Sequence, residues 1–300
     1  TTLQMSELTS ITPWFIEQIE QLYQAEVSLQ QNPQMIESKD SLKYYKQLGM
    51  SDKYLAYLTN KAQKDIFHYR VEHKLFPVYK AVDTCSGEFQ AQTPYFYSTY
   101  QEENEAKSLS LNHSSYAIMG SGPNRIGQGI EFDYSCVKSC KHLKDLGHKA
   151  IMINSNPETV STDYDSSDRL YLSPLYSEDI FDILLNENPK GVITCFSGQT
   201  GIRVREYIEK GFRFEYRAFN FLGSSLETLD KTEDRALFYE VTKKTKLAHT
   251  NSFEVKGYKK FMNALLELGM PVIIRPSYVI GGESCLLYTS PSPRDRTRSR

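Results

Sequence analysis

From Ser115 onward, short apolar runs alternate with stretches of helical periodicity. That rhythm belongs to a parallel sheet with helices on its faces, because each run must be buried as a strand and each helix must cover what the strands leave open. The runs Tyr116–Met119, Ala150–Ile153, Leu170–Leu172, Val192–Phe196 and Phe219–Gly223 are the expected strands. Between the first two, Phe132, Cys136, Val137, Cys140, Leu143 and Leu146 recur on one helical face, and Gly147 closes that helix. Further helices are expected near 177–187 and 200–210.

The first 106 residues read differently, as short helices and loops rich in Tyr and Gln. Thr12-Pro13 has the form of an N-cap followed by proline at the first helical position, and Phe15, Ile16, Ile19, Leu22 and Tyr23 give one apolar stripe beyond it. A second helix spans Ser41 to Leu48 with Gly49 as its stop, and a third follows Ser51 with Tyr54, Leu55 and Leu58 inward. A helix pair of this kind suits either DNA binding or packing and assembly; the balanced charge around it favours assembly. Residues 77–105, including Tyr95 to Tyr100, read as an extended connector whose aromatics need a surface to cover.

Beyond Ser224 the chain turns helical again, with Thr232 as an expected cap for a helix carrying Leu237, Phe238 and Val241 and another helix near Lys259 to Leu268. Pro271 to Ile274 is an expected strand leading to Arg275 and the Gly281-Gly282 turn. The expected divisions are 1–106 helical, 107–228 α/β, 229–284 the opening of a third domain, and 285–300 a tail. The tail has two prolines and four arginines against one aspartate, and no apolar period. A nucleic-acid-binding arm or a sorting tail is one reading; similarity to a translated sequencing-adapter artefact is the other, and the tail is set aside from the fold on that ground.

Composition narrows the function classes. With 40% hydrophobic and 24% charged residues the chain is long enough for two cores. Once the arginine-rich tail is set aside the body is mildly acidic and has no basic stripe, which argues against nucleic acid as a partner. No run of eighteen apolar residues supports a membrane span, and Thr1 opens the chain without a secretion signal, leaving open what precedes it. Five cysteines without a CxxC pair fit a reducing compartment, cytoplasmic or the mitochondrial matrix, and Cys136 and Cys140 read as buried packing residues. The histidines have no zinc spacing, so no metal site is expected within these residues.

Three polar loops fall where strand ends should converge. Gly120 to Gly129 lies between a strand and a helix, but Arg125 replaces the third glycine of a dinucleotide fingerprint, and Gln128-Gly129 replace the Lys-Ser pair of a Walker loop. Asn154 to Thr159 and Ser197 to Thr200 follow two other strands. Gly122, Asn124, Arg125, Asn156, Glu158, Gln199 and Thr200 are therefore the crevice candidates, for a site or for a domain contact. Arg235 opens a helix, and Arg275 leaves a buried strand toward Gly281-Gly282, an arrangement suited to polyphosphate or to a surface ion pair.

The segment Gly122-Pro123-Asn124-Arg125-Ile126-Gly127-Gln128-Gly129-Ile130-Glu131-Phe132-Asp133-Tyr134 resembles the start of a synthetase half in the carbamoyl-phosphate synthetase family. So do Asn154-Ser155-Asn156-Pro157-Glu158-Thr159-Val160-Ser161-Thr162-Asp163-Tyr164-Asp165 and Asp168-Arg169-Leu170-Tyr171. These motifs are long and specific, and the likeness runs over nearly everything before residue 285. The Glu158-Thr159-Val160-Ser161-Thr162-Asp163-Tyr164 wording resembles the second half, which phosphorylates carbamate. The departures are Ser197 where a glycine is usual, Gly201 where proline is common, and Gly211 to Ala218 as a small insertion.

What the resemblance implies is a large-subunit fragment: an oligomerisation domain (1–106), a pre-ATP-grasp domain (107–228) and the start of an ATP-grasp domain. It implies ATP held by Arg235, Arg275, Gly281 and Gly282, and Mg2+ or Mn2+ held by ligands further along the parent. No catalytic residue is assigned. The parent would use bicarbonate, two ATP and ammonia from a glutaminase small subunit or fused glutaminase domain, and would form homo-oligomers, serving pyrimidine or arginine synthesis. The piece itself would be inactive. The rivals are a non-catalytic oligomerisation or regulatory module of the same origin and another ATP-grasp carboxylase or ligase.

Overall fold

The computed structural model describes residues 2–89, 93–108, 111, 114–123, 129–274 and 286–288. They fall into two compact units, 1–122 with 133–222 and 123–132 with 223–300.

The first unit opens with helices α1 (Thr2–Thr9), α2 (Pro13–Gln31), α3 (Lys39–Gln47), α4 (Asp52–Thr59) and α5 (Gln63–Glu72). Pro13 starts α2 as expected, although Thr12 makes no side-chain cap. Gly49 stops α3 with φ +83, a left-handed turn that costs glycine nothing. Ser51 caps α4, its Oγ accepting from the Tyr54 amide at 3.1 Å. Leu29, Ile36, Leu42, Tyr45, Leu55 and Ile66 are buried together between these helices. The expected α2 stripe is only partly used: Ile16 is buried, whereas Phe15, Ile19 and Tyr23 are mostly exposed.

Within 77–105 the extended reading holds at two short stretches, with turns and bends over 84–89, and the two stretches are paired. β1 (Val78–Ala81) and β2 (Tyr95–Thr99) are antiparallel, and a short helix α6 (Glu105–Ser108) follows. The surface their aromatics cover is the sheet itself. Tyr79 meets Tyr171 edge-on at 4.9 Å between ring centroids, and Phe96 lies 5.7 Å from the same ring.

The chain then builds β3 (Ser115–Met119), α7 (Glu131–Asp145), β4 (Lys149–Asn154), β5 (Arg169–Leu172), α8 (Ser177–Glu187), β6 (Gly191–Ile193), α9 (Gly198–Glu209), α10 (Phe212–Tyr216) and β7 (Phe221–Leu222). The sheet order is β1-β2-β5-β4-β3-β6-β7, parallel apart from the β1 edge. Alternate residues face opposite ways. Ala117, Met119, Ile151, Ile153, Tyr171 and Val192 pack with Phe181, Leu184, Val204 and Ile208 of α8 and α9. Ile118, Ala150, Met152 and Leu170 pack with Cys136 and Cys140 of α7.

Two details differ from the periodicity. The expected 192–196 strand ends at Ile193, because Ser197 already turns into α9. On α7 the fully buried positions are Asp133, Cys136 and Cys140, while Leu146 is exposed, so the covered face is rotated to admit a carboxylate.

In the second unit, α11 (Leu226–Glu233), α12 (Arg235–Lys244) and α13 (Tyr258–Leu268) precede an antiparallel pair, β8 (Val272–Ile274) and β9 (Leu286–Tyr288). The cap of α12 is Asp234, not Thr232: Asp234 Oδ1 accepts from the Leu237 amide at 2.9 Å. Thr232 sits in the last turn of α11, donating to the Leu229 carbonyl at 2.9 Å. β9 comes from the segment set aside as a tail; the remainder of that segment lies outside the described residues.

Candidate functional site

The chain runs from β3 outward through β4 to β5, then crosses back to place β6 on the other side of β3. A reversal of this kind leaves a crevice beyond the carboxyl ends of the strands, where connecting loops part. The loops after β3, β4 and β6 meet there, and two side chains tie them together.

Asn154, the last residue of β4, is completely buried. Its Oδ1 accepts from the Gly122 amide at 3.1 Å, from Ser155 at 2.8 Å and from Asn156 at 3.4 Å. Its Nδ2 donates to Ser161 Oγ at 3.1 Å, and Ser161 passes the chain on to Asp133 Oδ1 at 3.0 Å. One amide thus pins the β3 loop, the β4 loop and the first turns of α7. Room for it depends on Gly120, where an added Cβ would lie 2.5 Å from Asn154 Cγ. Gly122 itself has φ +77, which favours glycine.

On the far side of β3, Ser197 Oγ donates to the Met119 carbonyl, closing the β6 loop onto the same strand end. Cys136 Sγ lies 3.8 Å from that carbonyl. Gly201 allows the first turn of α9 to approach: a Cβ there would stand 2.4 Å from the Thr194 carbonyl oxygen.

The structure therefore joins Gly122 and Asn156 through one shared acceptor. Asn156 Oδ1 accepts from the Glu158 amide at 3.0 Å, and Glu158 is exposed at the rim. Gln199 and Thr200 lie half-buried on the first turn of α9. Asn124 and Arg125 lie outside the described residues, as do Arg275, Gly281 and Gly282. Arg235 is exposed on the first turn of α12, in the second unit.

This geometry limits the chemistry of the crevice. The amides of Gly122, Ser155 and Asn156, which an anion would need, are already directed at Asn154. The described walls therefore act as a clamp that fixes loops rather than as a phosphate cradle. Burial pushes the Cys140 thiol up to about 12 and Cys136 higher still, so neither supplies a thiolate. Asp133 Oδ2 and Ser121 Oγ are buried with no hydrogen-bond partner. Among the described residues no group of three or more His, Cys, Asp or Glu could hold a metal ion, and no helix is long and apolar enough to cross a membrane.

Sequence reading missed Asn154 and Asp133 as the organising residues. Their signal was present: a polar residue follows directly on the apolar run Ala150–Ile153, and a carboxylate shares a helical face with Cys136 and Cys140.

Comparison with known proteins gives two domain matches. Residues 112–231 match the carbamoyl phosphate synthase preATP-grasp domain, and residues 1–74 match the carbamoyl-phosphate synthetase large chain oligomerisation domain. The chain is 44% identical over 283 residues to the carbamoyl phosphate synthase large chain of Archaeoglobus fulgidus, covering 93% of this chain and 26% of that protein. It is 42% identical over 295 residues to the large chain of Thermotoga neapolitana, covering 98% and 26%. The chain thus spans about a quarter of the length of the curated relatives it matches. Among solved structures, the ADP complex of N5-carboxyaminoimidazole ribonucleotide synthetase is similar with a TM-score of 0.43 and 16% identity, over 62% of this chain and 44% of that one.

Proposed function

We propose a function from one premise, that the chain belongs to the carbamoyl-phosphate synthase large-chain family. The chain supplies the assembly helices and the pre-ATP-grasp framework of an ATP-grasp ligase. The framework serves the second half, which phosphorylates carbamate to carbamoyl phosphate within the reaction from bicarbonate, glutamine-derived ammonia and two ATP. The observation that carries this reading is the clamp at Asn154, which ties Gly122 and, through Ser161, Asp133 of the family-like motifs to the end of β4. A fixed arrangement of strand-end loops of this kind is framework, not a phosphate contact in itself.

ATP would be held by Arg235, Arg275, Gly281 and Gly282, of which only Arg235 lies among the described residues. Its place on the first turn of α12 fits a phosphate contact: the guanidinium is exposed, and the helix amino terminus adds partial positive charge. The bound nucleotide and Mg2+ or Mn2+ would supply the transferable phosphoryl group and its charge neutralisation. A glutaminase, separate or fused, supplies ammonia in this reading, and residues 1–106 supply contacts between copies. Pyrimidine and arginine synthesis are the two pathways such a product serves.

The reading makes this chain inactive alone. ATP formation from ADP and carbamoyl phosphate should be undetectable with it. The same assay should give turnover when residues 1–274 replace the matching segment of the Thermotoga neapolitana large chain. Within that folded chimera, Arg235→Ala should raise the KM for ADP; an unchanged KM in an active chimera would remove Arg235 from the site, and a folded but inactive chimera would sink the reading.

A second reading, a non-catalytic oligomerisation or regulatory module, draws on the exposed apolar residues of α1 and α2, among them Leu8, Trp14, Phe15, Ile19 and Tyr23. Sedimentation of the chain alone measures that surface, with self-association expected and loss of it on Phe15→Glu.

A further inference from the structure

Away from the crevice, the first unit encloses a cluster of charges between its helical part and its α/β part. Lys46 of α3, Asp52 of α4 and Arg70 of α5 come from one side; Glu178, Asp179 and Asp182 of α8 and Arg213 of α10 come from the other. Asp52 and Arg70 are 0% exposed, and Lys46, Glu178, Asp182 and Arg213 are also buried. Asp179 is half-buried beside them.

The pairing is dense. Asp52 accepts from Lys46 at 3.2 Å and from Arg70 and Arg213 at 2.8 Å each. Asp182 accepts from Arg70 at 2.5 Å. Glu178 is bonded to Lys46, accepts from the Asp52 amide at 2.7 Å, and lies 3.5 Å from Arg70 and 3.9 Å from Arg213. Lys46 and Arg70 stand over the Tyr100 ring at 5.5 and 6.0 Å. From β1, the buried Tyr79 hydroxyl also faces Asp182 and has no hydrogen-bond partner, and neither do Asp182 Oδ1 and Arg213 Nε.

The charges do not cancel. Asp52, Glu178, Asp179 and Asp182 face Lys46, Arg70 and Arg213, so the fully ionised cluster holds one surplus negative charge in a place with little water to screen it. The surplus sits on α8, whose three carboxylates crowd one helical turn and a half.

We propose that this cluster is a proton-linked latch: helices α3 to α5 close on α8 and α10 with uptake of one proton, shared among Glu178, Asp179 and Asp182, and loosen when it leaves. The energetics agree in direction. Burial, reinforced by the Asp52 charge, pushes Glu178 up to about 7. Burial and the charge of Asp182 push Asp179 up to about 6, and burial raises Asp182. Burial opposes ionisation of Asp52 as well, but Arg70, Lys46 and Arg213 outweigh it and hold Asp52 well below the carboxylate range. The proton therefore resides on α8 and not on Asp52.

The sign follows from these directions. A carboxylate raised to about 7, like Glu178, stabilises the closed form below its unfolded value, and that contribution is lost as pH rises through about 7. Asp52, lowered, contributes above its unfolded value and loses that contribution as pH falls below it. The latch is tightest between those limits and opens toward alkaline pH.

Hydrogen exchange of the whole chain, read by mass spectrometry at pH 6 and pH 8 and corrected for the intrinsic rate, tests this. One linked proton should raise the opening constant of peptides from 39–72 and 177–187 on the order of tenfold across that range. Peptides from 149–154 should not follow. Glu178→Gln removes the surplus charge and should abolish the pH dependence; Asp179→Asn, at a less buried position, should do the same and serves if the first variant does not fold. Equal protection at both pH values, a tenfold change retained in a folded variant, or an equal change in 149–154 would each overturn the latch.

Discussion

The guanidinium of Arg213 donates to the carboxylate of Asp52 at 2.8 Å, although 161 residues separate them, and joins α10 to α4 inside the first unit. Arg213 comes from Gly211 to Ala218, the stretch that reads as a small insertion. Its helix does more than fill a loop: Phe212 packs tilted against Phe67 at 5.4 Å and Tyr216 meets it edge-on at 5.6 Å, and Arg213 lies over Phe67 at 5.1 Å.

Arg213→Met should therefore lower the unfolding free energy by about 3 kcal/mol, since removing one partner leaves a buried carboxylate less compensated. Urea denaturation measures it. A loss below about 1 kcal/mol, the range of a surface ion pair, would mean that Lys46 and Arg70 satisfy Asp52 unaided.

Asn154→Ala should cost about 2–3 kcal/mol, because it strands the Gly122 and Ser155 amides and Ser161 at once in a buried place. Asn154→Asp keeps the acceptor oxygen but brings a second carboxylate toward Asp133 across Ser161, so it should also destabilise, and more at pH 8 than at pH 5. Equal stability of the Ala variant and the parent in urea would dismiss Asn154 as the clamp.

How much of this was readable in sequence depends on whether the physics is local. The central strands were legible because burial on both faces forces consecutive residues such as Ala117-Ile118 and Ile151-Met152 to be apolar, and the crevice loops because polar residues follow at once. The cap of α12 was misplaced by two residues: Thr232 and Asp234 are both cap-forming types, and the structure uses Asp234, the stronger of the two, while Thr232 lies in the last turn of α11. The charged cluster was illegible: Glu178 and Asp179 look like the acidic first turn that any helix favours, and nothing in the local sequence says that Arg70 and Arg213 arrive there. The α2 stripe shows the converse, because periodicity tells which face is apolar but not whether anything covers it.

Gly201→Ala should destabilise by about 1–3 kcal/mol, the usual cost of overpacking a site that cannot shift. The new Cβ would lie 2.4 Å from the Thr194 carbonyl oxygen and 2.6 Å from Ser197 Cβ, and backbone on one side leaves little room to yield. Relief would come by moving α9 outward, breaking the bond from Ser197 to the Met119 carbonyl. Faster amide exchange at the start of α9 is therefore expected along with the lower melting temperature; a variant as stable as the parent would show that the helix yields freely.

Thiol labelling separates the two sides of β3. Cys195 is exposed beyond β6, whereas Cys136 and Cys140 are completely buried between α7 and the sheet. Burial raises all three thiols, pushing Cys140 up to about 12, so thiolate is scarce and access decides the order of reaction. Iodoacetamide at pH 8 should label Cys195 in the native chain and leave Cys136 and Cys140 untouched until urea unfolds the sheet. Their protection should fall in step with the loss of stability in Asn154→Ala, since α7 is tied to β4 through Asp133, Ser161 and Asn154. Peptide mapping reads each cysteine separately, and native labelling of Cys140 at the rate of Cys195 would contradict the packing of α7 on the sheet.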